Sequence, residues 1–256
     1  MAYRKRTVTA GVSLEVRKSH CPWDGERPPE RERRKEGTPE KIRKENERRA
    51  REMLRWLIAA NFGVGDYHLT LTFRKVLRPA DEEALKKTVQ KFLRKLRKMY
   101  NDNGAELKYI WTAGIGERGA AHVHMICNAA IPLAAIQAAW ESGRVRAVSL
   151  DNKGQYEELA NYLIKNFKEV REKKDMEFFK RWNCSRNLQK PTVRTEDVKA
   201  SKWKDVPVPP KGYALETDSV RMGIDAFGFP WMECRFIKTA PQKNNQRKRE
   251  RQWNKY

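Results

Sequence analysis

The stretch from Lys108 to Cys127 constrains this chain most. Two strand-like runs, Lys108–Ile115 and Ala121–Cys127, flank the short segment Gly116-Glu117-Arg118-Gly119. Strand runs joined by so short a glycine-bearing link form an antiparallel hairpin. The second arm reads Ala121-His122-Val123-His124-Met125-Ile126-Cys127 and holds two of the chain's four histidines. Strand side chains alternate between faces, so His122 and His124 share one side of the sheet, and Val123, Met125 and Cys127 take the other. Two imidazoles a few ångströms apart on a stiff element make a two-toothed clamp for a divalent metal, because neutral ring nitrogens ligate without first losing a proton.

The hairpin sits in a longer series. Tyr67-His68-Leu69-Thr70-Leu71-Thr72-Phe73 alternates apolar Leu69, Leu71 and Phe73 with polar His68, Thr70 and Thr72, the pattern of a half-buried strand. Asp81–Tyr100 sets Leu85, Val89, Phe92, Leu93, Leu96 and Met99 on one helical stripe, with lysines and arginines around the rest. Pro132–Trp140 reads as a short helix, Arg144–Leu150 as a strand, and Gln155–Val170 as a helix with Tyr156, Leu159, Leu163 and Phe167 available for packing. From Tyr67 on, the order is the ferredoxin-like βαββαβ arrangement with one extra helix: an α+β fold whose helices lie on one face of an antiparallel sheet. Its open face would carry Thr70, Thr72, His122 and His124.

The flanks differ from this core. Residues 1–62 form a basic N-terminal extension whose helix begins at Thr38-Pro39-Glu40, with proline suited to a first helical position. The core spans 63–175. Residues 176–240, broken up by Pro191, Pro207, Pro209 and Pro210, read as an irregular, partly strand-bearing extension wrapping the core, and 241–256 as a disordered basic tail. With 55 Lys and Arg against 33 Asp and Glu the formal net charge is +22, which points to a polyanionic partner. No run approaches the roughly 18 apolar residues of a membrane-spanning helix, and no apolar signal core follows Met1. Cys21, Cys127, Cys184 and Cys234 are scattered without a CxxC, which fits reduced thiols in a cytoplasm rather than a zinc ribbon or disulfide framework. No GxxxxGK[ST] loop is present, so no helicase motor is encoded here.

Three segments follow in order: Leu69-Thr70-Leu71-Thr72-Phe73, His122-Val123-His124, and Tyr162-Leu163-Ile164-Lys165 on the last core helix. Tyr162 and Lys165, three apart, share adjoining parts of a helical face, and an ammonium beside a phenol favours the phenolate. Together the segments resemble the HUH endonucleases, most closely the single-tyrosine Rep proteins that initiate rolling-circle replication of plasmids and phages. That resemblance covers about Tyr67 to Val170 and implies a metal-dependent DNA nickase. Mg²⁺ or Mn²⁺ would be held by His122 and His124, and Tyr162 would be the nucleophile that leaves a 5′-phosphotyrosyl link and a free 3′-hydroxyl. It further implies host helicase and polymerase partners. Family members often carry a glutamate eight residues before the first histidine, where this chain has Gly114. A third ligand would then be Glu117, in the hairpin turn, or His68. DNA contacts would come from His68, Thr70, Thr72 and Arg118.

Other readings fare worse. A cupin needs a further histidine after His124, and none follows. A two-histidine phosphodiesterase needs a second HxT or HxS strand, which His122-Val123-His124 does not supply. A related transposase or relaxase would share the motifs, but the transposases are usually shorter and lack long basic flanks. The alternative from another class is a non-enzymatic protein that binds single-stranded nucleic acid by charge and stacking.

Overall fold

The structure, a computed structural model, describes residues 2–21, 38–116, 119–151, 156–174, 180–198, 206–225 and 228–239. In chain order the elements are β1 (Ala2–Ala10), β2 (Ser13–Cys21), α1 (Pro39–Asn61), β3 (Tyr67–Thr72), α2 (Glu82–Asp102), β4 (Tyr109–Ile115), β5 (Ala121–Cys127), α3 (Leu133–Ala139), β6 (Val145–Ser149), α4 (Glu157–Lys174), β7 (Asn183–Cys184), β8 (Thr192–Val198), β9 (Tyr213–Ile224) and β10 (Pro230–Lys238). They form an α+β protein with two antiparallel five-stranded sheets in two compact units, residues 29–192 and residues 1–28 with 193–256.

In the first unit the strand order is β6-β3-β5-β4-β7. β5 lies antiparallel between β3 and β4, so these two run in the same direction and α2 is the crossover that joins them. The register aligns Thr70, His124 and Thr112 in one row and Thr72, His122 and Gly114 in the next but one. One face of the sheet presents Leu69, Leu71, Val123, Met125 and Trp111 to a single core cluster with Leu85, Val89, Phe92, Leu93 and Leu96 of α2 and with Ile136 and Trp140. Burying side chains of this size is worth about 1.5–3 kcal/mol each. The start of α2 is fixed by Asp81, whose carboxylate accepts the Ala84 N–H at 2.7 Å.

The opposite face departs from the one-sided layering expected from the sequence. Every residue of β4 is buried, because α4 packs on β4 and α1 packs on α4. The reason is chemical. Ile110 and Ile126, on the same side as the histidines, would otherwise meet water; instead they are 1% and 0% exposed. α4 contributes buried Ala160, Leu163 and Ile164, and α1 a stripe of Leu54, Leu57 and Ile58. Helices therefore cover both faces, and the histidine side is open only where α4 does not reach.

The second unit is built from both flanks. Residues 2–21 form a hairpin, and 213–238 form two long strands, assembled as β8-β1-β2-β10-β9. Gly11-Val12 is the two-residue loop between paired Ala10 and Ser13, with Gly11 at φ +58°, the left-handed region that primed hairpin turns require. Val16, Met232, Cys234 and Phe236 make its small core. Arg235 is held between Glu15 at 3.5 Å and Glu216 at 3.0 Å. The basic tail expected at 241–256 lies outside the described residues. Among the described residues no helix is long and apolar enough to cross a membrane.

Candidate active site

β5 is a stiff platform at the centre of its sheet, with hydrogen-bonded neighbours on both sides. From it His122 and His124 project to the same face, and their Nε2 atoms stand 2.9 Å apart. That separation suits an N–H···N hydrogen bond. It also equals the spacing of two adjacent ligands on one ion, about 3 Å for bonds of about 2.1 Å at a right angle. Each ring is steadied from behind. The Thr70 hydroxyl lies 3.4 Å from His124 Nδ1, and His122 hydrogen-bonds the Ala120 backbone. Such partners fix which nitrogen a histidine presents.

His68 of β3 joins them. Its ring centroid is 5.4 Å from that of His124, and its buried Nε2 has no hydrogen-bond partner among the described residues. All three imidazoles are held neutral. Burial pushes His68 down to about 4. It pushes His124 to about 3, with the neighbouring His122 and His68 adding to the effect. Burial also lowers His122, opposed by its bond to the Ala120 backbone. Two of these neutral rings, His122 and His124, bring their Nε2 atoms together as donors a divalent ion can use.

Gly114 explains how His122 reaches this position. A Cβ on Gly114 would stand 2.4 Å from His122 Nε2, so the imidazole lies across the strand where any other residue would put its side chain. From the sequence, Gly114 reads only as a departure from the family pattern, and this role is missed. The signal that could have found it is a lone glycine inside an otherwise apolar strand.

Tyr162 comes from α4. Its neighbours Leu163 and Ile164 are 3% exposed, whereas Tyr162 is 46% exposed, which sets it at the margin of the helix's packing rather than in it. Its ring lies 5.1 Å from that of His124 and 6.3 Å from that of His68. Lys165 is exposed on the same helix. Among the described residues no hydrogen bond joins it to Tyr162. Tyr156, expected inside this helix, instead precedes it at φ +47°, buried, with its hydroxyl donating to the Asp151 carbonyl at 3.3 Å.

The remaining site residues divide. Thr70 sits behind His124, as described, and the Thr72 hydroxyl is engaged with the backbone of Arg144, donating to its carbonyl at 3.1 Å. Glu117 and Arg118 lie outside the described residues. Among the described residues no group of three or more His, Cys, Asp and Glu converges as a metal cage. What converges is the His122–His124 pair, with His68 beside it and a phenol within reach.

Residues 66–167, from the start of β3 to the middle turns of α4, match the family model of the replication-associated protein ORF2. This segment is similar to replication-associated proteins. It contains His68, His122, His124 and Tyr162, the four aromatic side chains that the fold gathers. No curated protein and no solved structure gave a match.

Proposed function

We propose that residues 29–192 form a metal-dependent, site-specific DNA nickase of the single-tyrosine HUH type that initiates rolling-circle replication. One observation carries the reading: two neutral imidazoles with Nε2 atoms 2.9 Å apart face a solvent-accessible tyrosine whose ring is 5.1 Å from one of them, inside the segment similar to replication-associated proteins. The strand order β6-β3-β5-β4 with antiparallel pairing supports a ferredoxin-like core for that segment.

His122 and His124 would hold Mg²⁺ or Mn²⁺, with His68 or Glu117 completing the set alongside water. The ion would supply charge stabilisation at the scissile phosphate. The chain's own groups do the rest. Burial keeps the imidazoles unprotonated, and Thr70 orients His124. Tyr162 Oη attacks phosphorus, the P–O3′ bond breaks, and the proton shed by the phenol ends on the departing 3′-oxygen through solvent. A 5′-phosphotyrosyl link and a free 3′-hydroxyl result. Lys165, three residues on along the same helix, would stand on an adjoining part of the face that carries the attacking phenol. A host polymerase would extend the 3′-end after a host helicase opened the duplex. The basic surface, of net charge +22, supplies affinity for DNA.

The test is nicking of origin-bearing single-stranded oligonucleotides by the full chain. A covalent adduct is expected with Mg²⁺ or Mn²⁺ and is lost in EDTA, and Tyr162→Phe binds DNA but forms no adduct. If Tyr162→Phe still becomes linked to DNA, the assignment of the nucleophile is wrong. If the wild-type protein binds single strands and forms no adduct with any divalent ion, the protein is a non-enzymatic nucleic-acid binder.

A further inference from the structure

Helix α2 carries two populations of cations. Those turned away from the edge strand are neutralised within the molecule: Lys87 by Glu83, Lys91 and Lys95 by Glu141, and Lys98 by Asp102. The second population, Arg94 and Arg97, lies with Lys86 and Gln90 along one line of the helix and borders a cleft of 370 Å³. This volume falls within the range of ligand sites, about 300–1,000 Å³. Asn183 and Cys184 of β7 form the other lip, and Tyr109 and Trp111 of β4 lie beneath. The lining includes three cations and no carboxylate; Glu82 pairs with Lys86 from outside it.

The arginines differ from the helix's lysines in this respect. Arg97 Nη2 donates to the Tyr109 hydroxyl at 3.0 Å, and its guanidinium stands 5.7 Å from that ring's centroid, so its direction is fixed without an acid. Arg94 is exposed and has no ion pair among the described residues. Each lysine of the helix from Lys86 to Lys98 has an acid partner within the molecule, whereas among the described residues Arg94 and Arg97 beside the cleft have none, an arrangement that suits an external anion. Arginine forks suit phosphate.

We propose that the α2–β7 cleft binds single-stranded DNA through its phosphodiester backbone, with Arg94 as the principal phosphate contact and Gln90 and Arg97 beside it. The repeated charge along one helical line matches a linear polyanion better than a single small anion. The cleft is distinct from the histidine site, because Trp111 faces the α2 side of the sheet whereas the adjacent Thr112 is in register with His124. It would hold a length of strand away from the cleaved phosphate, and its operation does not require nicking.

Cys184 reports on the cleft, since it is exposed while Cys21, Cys127 and Cys234 are buried. The full chain is alkylated with iodoacetamide with and without saturating oligothymidylate, and modification is mapped by mass spectrometry. Binding is measured in parallel by fluorescence anisotropy across a salt series. DNA is expected to slow alkylation of Cys184 about tenfold. Arg94→Ala is expected to weaken binding about tenfold at low salt and to lower the slope of log K against log salt by about 0.7, the value for one phosphate on a single strand. Lys87→Ala, on the far side of the helix and paired with Glu83, leaves both unchanged. Unaltered alkylation under saturating DNA, or an unaltered salt slope in Arg94→Ala, overturns the proposal. If the Tyr162 adduct still forms in that case, the cleft assignment fails while the nickase reading stands.

Discussion

Replacing Gly114 with alanine tests whether the imidazole clamp depends on one missing side chain. The added Cβ would sit 2.4 Å from His122 Nε2 and 2.9 Å from its Cε1. Those atoms belong to the end of a half-buried side chain, so the ring can swing outward. Alanine also recovers about 0.5–1 kcal/mol of the backbone entropy that glycine loses in a strand. The two effects nearly cancel, and the change in folding stability by urea denaturation should stay within about 1 kcal/mol. Metal binding should not survive so well. Turning His122 away removes one of two paired nitrogens, and even loss of a supporting contact costs about 10–100-fold in metal affinity. Isothermal titration with Mn²⁺ should therefore show a loss of at least that size in a protein that remains folded. Gly143→Ala is the contrasting substitution: its Cβ would meet the backbone oxygen of Thr72 at 2.0 Å. Backbone cannot swing aside, so that variant should lose about 1–3 kcal/mol of stability or more. Unchanged Mn²⁺ affinity in Gly114→Ala would refute the reasoning, since His122 would then need neither the space nor the orientation assigned to it.

Two further predictions concern the buried histidines. His68→Phe removes a buried Nε2 that has no partner among the described residues and keeps a ring against His124 and Tyr162. Metal-free stability should rise by about 1 kcal/mol, and urea denaturation in EDTA that shows a loss instead would mean His68 has a partner. The second prediction is a pH dependence. His68 and His124 titrate in the folded chain at about 4 and about 3, below the value near 6.5 of an unfolded chain. The unfolded state therefore takes up protons first, so their contribution is complete above pH 6.5 and is lost as pH falls towards the folded values. Denaturation midpoints in EDTA should drop between about pH 7 and about pH 5, and a flat profile would show that the rings are not held neutral.

The core strands and helices were legible because their signals are local. Leu69 and Leu71 alternate with His68 and Thr70 and are 0% exposed. The stripe Leu85-Val89-Phe92-Leu93-Leu96 returns as the buried face of α2. The β1–β2 hairpin was not legible, because its pairing sets Lys5 opposite Lys18 and Arg6 opposite Arg17, and like charges in register argue against a hairpin. Counter-charges come from distant parts of the chain. Glu233 stands in register with Arg17, and Asp197 and Glu196 pair with Arg4 and Lys5. No window of neighbouring residues contains that information.

By itself, then, the sequence determined which residues alternate, which faces they share along one strand or helix, and that His122 and His124 stand side by side. Side-chain period is a property of the local backbone and is written into every few residues. Tertiary structure decided what lies over that pair. It brought α4 down onto β4 and thereby set Tyr162 beside His124. It buried His68 next to them, and it assigned Gly114 the task of leaving room. These outcomes follow from long-range burial, where Ile110 and Ile126 are removed from water only if a helix far along the chain covers them.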